Sequence, residues 1–153
     1  MTELNLKHDI KVLNSLIETT LDSADGYREA AEKTEVSSHR ELFQRWASDR
    51  RQVVTDLQGQ VRTLGGKPDE DGSILAATHR VFLSIRDSVT KGDDSVVDEV
   101  ERGEDFIKAK YETALKDDEL SASVRNIVVR AYSSVKAGHD QARDLKRTVH
   151  AKH

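Results

Sequence analysis

The chain contains no cysteine, which excludes a disulfide framework, a thiolate metal site and a cysteine nucleophile together. Proline occurs once, at Pro68, so nothing else of that kind breaks a long helix. Aromatic residues make up 5% of the sequence, and Tyr27, Phe43 and Trp46 recur at helical spacing, a core or seam pattern rather than a stacking platform for bases. No glycine-rich phosphate loop and no nucleophile-plus-base pairing stands out. No apolar run approaches the length needed to cross a bilayer, and Met1 to Asp9 lacks the apolar core of a signal peptide. The expected location is therefore the cytoplasm, with no membrane partner. Net charge is −4, which offers no general attraction to nucleic acid.

What is present is helix-forming: Ala, Leu, Glu, Lys and Arg are plentiful. Hydrophobic residues reach 36% and charged residues 34%, enough for narrow apolar stripes on long, otherwise solvated helices. The 153 residues suit one domain, 1–153, with one continuous core.

Residues 5–33 carry Leu6, Ile10, Leu13, Ile17, Thr20, Ala24, Tyr27 and Ala31 in alternating steps of three and four, one face of a helix. The same register puts Lys11, Glu18, Asp22, Asp25 and Glu32 on the solvated side. A second helix is expected to open at Ser38, with Glu41 completing a capping box, and to run to Leu64. Its stripe of Leu42, Trp46, Val53, Leu57, Gln60 and Leu64 is broken by Asp49 and Arg50. Gly65, Gly66 and Pro68 stop it. A shorter helix is expected over 73–90, a fourth from Ser95 striped by Val97, Val100, Glu104, Ile107 and Tyr111, and a fifth from Ser121 striped by Val124, Val128, Ala131, Val135, Gly138 and Ala142.

The short helix is the odd member. If it carries the chain back along the bundle, the fold is all-α, a ferritin-like four-helix bundle with an additional short crossover helix between the second and third long helices. A di-metal carboxylate site in such a bundle needs a Glu from two helices and a Glu-x-x-His from each of the others. No Glu-x-x-His occurs. The weak metal candidates are Glu104, Asp49 and His139, with iron or manganese as the alternative to no cofactor. Counting 1.5 Å per residue from each turn places Thr20, Arg50, Glu104 and Tyr132 near one level. A lone buried carboxylate is costly, so Arg50 is the expected partner of Glu104, in a polar layer that fixes helix register.

Several strings then resemble a bacterial, specifically proteobacterial, family of ferritin-like four-helix-bundle proteins of unknown function. They are Gly26 to Ala31 (GYREAA), Leu64 to Pro68 (LGGKP) followed by Gly72-Ser73, His79-Arg80, Glu101 to Asp105 (ERGED) with Tyr111, and Tyr132 to His139-Asp140. The resemblance implies a fold but no established activity. Val129 and Ala131 depart from an acidic residue and a glutamine of that family, which thins the polar groups on the last helix. The expectation is a non-catalytic bundle with an interaction or stress-associated role, and a second copy or another protein as partner. The alternative is a metal-binding protein or metal-dependent oxidase with a degenerate carboxylate and histidine site.

Overall fold

The computed structural model describes residues 3–72 and 93–151. They form four helices, α1 (Glu3–Lys33), α2 (Ser37–Thr63), α3 (Asp93–Leu115) and α4 (Ala122–Ala151), and include no strand. The short helix expected over 73–90 lies outside the described residues. No helix among them is long and apolar enough to cross a membrane.

α1 packs along α2 and α3 along α4, and the two hairpins join through α1 against α3 and α2 against α4. Side-chain bonds fix the directions. Thr20 meets Tyr111 and Tyr27 meets Glu104, so α1 and α3 run antiparallel. Trp46 Nε1 donates to Gln141 Oε1 at 2.7 Å, while Arg50 lies against Gly138, so α2 and α4 are antiparallel as well. α2 and α3 therefore run parallel, and the link between Thr63 and Asp93 joins opposite ends of the bundle.

The core follows the apolar stripes. Leu13, Ile17, Tyr27, Phe43, Leu57, Val61, Val100, Ile107, Val124, Val128 and Val135 are all buried, and each large aliphatic among them contributes about 1.5–3 kcal/mol relative to exposure. On α2 the stripe residues Trp46, Val53 and Leu57 are buried as expected, and the buried face extends beyond the stripe. Phe43, Ala47, Arg50, Val54 and Val61 are buried, whereas Leu42, Gln60 and Leu64 are only half-buried. The reason is that α2 faces two helices, α1 and α4, so its buried sector is wider than one stripe.

The helix ends differ in how well they match expectation. α2 opens one residue earlier than Ser38, after Val36, with no side-chain cap. Thr34 Oγ1 instead accepts the Val36 amide at 3.3 Å, and the Arg40 guanidinium donates to the Thr34 carbonyl at 2.8 Å. The short turn is thus tied without the Ser38 capping box. At the other end Gly65 has φ +84°, and the Gly66 amide reaches the Val61 carbonyl at 3.0 Å, the six-to-one bond of a glycine-terminated helix. The start of α4 is held from a distance: Asp9 Oδ1 accepts the Ser121 amide at 3.1 Å and Asp9 Oδ2 the Ser121 hydroxyl at 2.5 Å.

Beyond Gly66 the chain folds back on α1. Asn14 donates to the Lys67 carbonyl at 3.1 Å and accepts the Asp69 amide at 2.8 Å, while Gln58 donates to the Asp69 carbonyl at 2.9 Å. This cover overturns part of the solvated face expected on α1. Asp22 is buried at 7% exposure, so near Gly72 that a Cβ there would stand 2.2 Å from its Oδ1. Glu18 is half-buried, and burial, a hydrogen bond to Asp69 and the charges of Asp69 and Asp22 push its carboxyl up to about 7.

Candidate functional site

At mid-bundle each of the four helices contributes to one polar layer. α2 supplies Arg50 and α3 supplies Glu104, whose side chains are 3% and 1% exposed. Arg50 Nη2 donates to Glu104 Oε1 at 2.7 Å and to Oε2 at 2.5 Å. From α1 the Tyr27 hydroxyl donates to Glu104 Oε1. α4 contributes a gap: a Cβ at Gly138 would lie 2.4 Å from Arg50 Nη2 and 3.6 Å from Glu104 Oε2. Only a residue without a side chain lets the guanidinium lie there.

A second chain of bonds lies beside the first. Thr20 Oγ1 donates to the Leu16 carbonyl at 2.6 Å, which uses its one proton. The Tyr111 hydroxyl, 2.8 Å away, must then donate to Thr20. Burial raises both phenols: Tyr27 goes well above its ordinary value, helped by the Glu104 charge, and Tyr111 rises to about 12. Both remain donors at neutral pH. Burial alone pulls the Arg50 guanidinium down, but the neighbouring Glu104 carboxylate and the two tyrosines more than offset this and hold it above its usual value. One atom is left over, since Arg50 Nη1 is buried without an acceptor.

Thr20, Arg50 and Glu104 thus meet in one layer, whereas Tyr132 stands apart. It is half-buried on α4 and its hydroxyl donates to Glu112 Oε2 at 3.1 Å. The phenols of the layer are Tyr27 and Tyr111, which the stripes had marked as core. Equal counting from the α3–α4 turn misplaces the level. Glu104 lies eleven residues before the end of α3 and its neighbour Gly138 sixteen after the start of α4, a mismatch of more than one turn.

The metal candidates do not converge. Asp49 is exposed on α2, in a groove toward α4 with Asp56, Arg130 and Ser134. His139 pairs through Nε2 with Asp105 Oδ1 at 2.6 Å and has Nδ1 3.5 Å from Asp140 Oδ1. Among the described residues it forms no bond with Asp49, the carboxylate named with it as a metal candidate. Both Glu104 oxygens are taken by donors, and the neighbouring groups are a cation, two phenols and a hydroxyl. This donor set does not fit a di-metal centre, which needs several anionic oxygens and imidazoles around the ions.

Another cluster escaped the sequence reading. One atom each of His8, Asp117 and Glu119 come within 4.8 Å of one another at the end of the bundle. Asp117 Oδ2 bonds His8 Nε2 at 2.6 Å, and Asp117 Oδ1 accepts the Glu119 amide at 2.9 Å. That amide, and next His8, lower the Asp117 carboxyl. Arg125 donates to the carbonyls of Leu115 and Asp117, so the cluster closes the C-terminal end of α3. Nothing in spacing signals a contact between residues 8 and 117.

With this geometry in view, residues 8–117 match the family described as Domain of unknown function (DUF2383). The chain belongs to this family. The DUF2383 match takes in α1, α2 and α3 up to Asp117, hence Thr20, Tyr27, Arg50, Glu104 and Tyr111, and leaves α4 with Gly138 outside it. No curated protein matches the chain.

Proposed function

We propose that this DUF2383 member is a non-catalytic, ferritin-like helical bundle in which an internal guanidinium takes the place of metal ions. Its work is done at its surface, as an interaction protein of bacterial cytoplasm with a stress-associated role and a second copy or another protein as partner. The single observation that carries the reading is the contact of Arg50 Nη2 with both Glu104 oxygens in a nearly solvent-free layer. A cation fixed in the fold uses the lone pairs that a metal would need, and a buried carboxylate of this kind is held by its partner rather than poised to change ligands.

The ferritin-like assignment has support in the direction of the helices. α2 and α3 are parallel, and in a bundle this requires a long return connection, for which the proposed short crossover helix over 73–90 is the natural carrier. The exterior suits a protein-facing role. Charged side chains form ion pairs within and between neighbouring helices, among them Arg51 with Asp25 and Lys146 with Glu101, and such surfaces favour register and partner choice over tight adhesion.

The test is the metal content of tag-free protein after growth in iron- and manganese-supplemented medium, with Glu104→Ala and His8→Ala variants in parallel. The reading expects no metal that depends on Glu104. Near-stoichiometric iron or manganese lost in Glu104→Ala would overturn it in favour of a metal-dependent oxidase, and metal lost only in His8→Ala would locate a binding site at the bundle end.

A further inference from the structure

Three side chains of metal-binding type meet at the end of the bundle. His8 lies near the start of α1, whereas Asp117 and Glu119 lie in the turn between α3 and α4, and His8 and Asp117 are 109 positions apart in the chain. One ligand atom of each residue lies within 4.8 Å of the other two, and among the described residues this is the one group of three or more histidines and carboxylates so closely spaced. The mid-bundle layer is far from it: Glu104 stands eleven residues before the end of α3, about 16 Å along the helix.

The surrounding bonds hold two of the three groups in place. Asp9, next to His8, accepts both the amide and the hydroxyl of Ser121, so the start of α1 is pinned to the α3–α4 turn. Arg125 donates to the carbonyls of Leu115 and Asp117, which fixes the backbone that carries Asp117. The Glu119 amide donates to Asp117 Oδ1 at 2.9 Å, and Asp117 Oδ2 is left to meet His8 Nε2 at 2.6 Å. Outer bonds of this kind orient the ligands of a metal. Glu119 is exposed, and among the described residues its carboxylate forms no hydrogen bond or ion pair.

We propose that His8 Nε2, Asp117 Oδ2 and a carboxylate oxygen of Glu119 bind one zinc ion, which staples the start of α1 to the α3–α4 turn. One imidazole nitrogen with two carboxylate oxygens suits zinc, whereas magnesium and calcium take oxygen ligands. Tetrahedral zinc holds its ligand atoms about 3.4 Å apart. The His8–Asp117 pair must therefore widen by about 0.8 Å and Glu119 approach by up to about 1.4 Å, movements that rotation of half-buried and exposed side chains supplies. Zinc replaces the proton shared by His8 and Asp117, which passes to solvent, and water fills the fourth position. The site shares no residue with the mid-bundle layer, so it stands or falls independently of the proposed function.

The experiment is calorimetric titration of the chelator-treated full chain with zinc chloride, repeated with magnesium and calcium chloride. Zinc should bind one-to-one and raise the urea midpoint of unfolding, and neither other ion should bind at the same concentration. Glu119→Gln, an exposed change that keeps the backbone amide, should weaken zinc binding by more than the roughly 10–100-fold that loss of an outer partner costs. It should leave the zinc-free stability unchanged. His8→Ala should weaken zinc binding as much. Asp118→Asn removes the same charge from an exposed neighbour and should leave the affinity unaltered. Equal weakening by Asp118→Asn and Glu119→Gln, or calcium bound as tightly as zinc, would overturn the proposal, because general attraction to an acidic surface would then account for the binding. Zinc bound as tightly in His8→Ala as in the unaltered chain would also overturn it, with other imidazoles such as His150 and His153 as the ligands.

Discussion

Gly138 on α4 lies so close to Arg50 on α2 that a methyl group on it would stand 2.4 Å from the guanidinium Nη2. Arg50 is not free to retreat, because the same nitrogen is bound to both oxygens of Glu104. A glycine inside a helix ordinarily lowers stability by about 1 kcal/mol relative to alanine. Here the absent side chain is what admits the ion pair.

Two glycine substitutions separate these effects. Gly59, inside α2, has nothing within 4 Å of an added Cβ, so Gly59→Ala should stabilise the protein by roughly 0.5–1 kcal/mol. Gly138→Ala should instead destabilise it by about 1–3 kcal/mol, the usual range for overpacking, despite the same gain in propensity. Urea unfolding midpoints compare the two directly. Equal stabilisation by both would mean that Arg50 moves aside at little cost.

The tyrosines should titrate in order. Tyr132 is held above its ordinary value by burial and by Glu112, but only half-buried, whereas Tyr27 and Tyr111 are fully enclosed. A phenol raised by folding contributes stability that is lost as pH rises above its unfolded value of about 10. Absorbance near the tyrosinate band should therefore show one phenol ionising first and two only together with loss of helicity. Tyr27→Phe should lower stability by about 1–3 kcal/mol, since Glu104 Oε1 loses a buried donor. Three phenols that ionise together in the folded state would contradict this order.

Glu18 should give the fold a pH dependence near neutrality. Its carboxyl is raised from 4.5 to about 7, so the folded chain holds this proton more tightly than the unfolded one. The corresponding stability is present in full below about 4.5 and is lost as pH climbs through about 7. Thermal midpoints should fall between pH 5 and pH 8, and Glu18→Gln should flatten that fall and raise the midpoint at pH 8. A variant with the wild-type slope would remove Glu18 as its source.

Asp117 acts in the opposite sense. Its carboxyl is lowered by the Glu119 amide and by His8, so its contribution is present above the unfolded value of 3.8 and is lost as pH falls through the lower native one. Asp117→Asn should make the protein less stable at pH 6 while leaving its stability below pH 3 nearly unchanged. Urea titrations at the two pH values read the difference, and an equal loss at both would contradict the assignment.

These contrasts also show which features the sequence made legible. Three- and four-residue spacing exposed α1, α2, α3 and α4, and Gly65 with its neighbours marked the end of α2, because both signals are local. Glu104 and Arg50 were conspicuous as charges interrupting apolar stripes. The identity of the phenols was not legible, since Tyr27 and Tyr111 fit an apolar stripe equally well as rings and as hydrogen-bond donors. Tyr132 was misplaced because its level depends on how far α4 begins beyond the end of α3, which no residue pattern records. Asp22 is buried by the 67–72 stretch folding back on α1, a long-range contact that helical periodicity along α1 does not predict.

The central claim is that Arg50 and Glu104 act as one unit, and a double-mutant cycle with Arg50→Met, Glu104→Leu and both together, read by urea unfolding, tests it most directly. Each single change should cost about 3–5 kcal/mol by leaving an uncompensated buried charge, whereas the double variant should recover most of that loss. Additive losses in the double variant would contradict the account and mean that the two charges are stabilised by something other than each other.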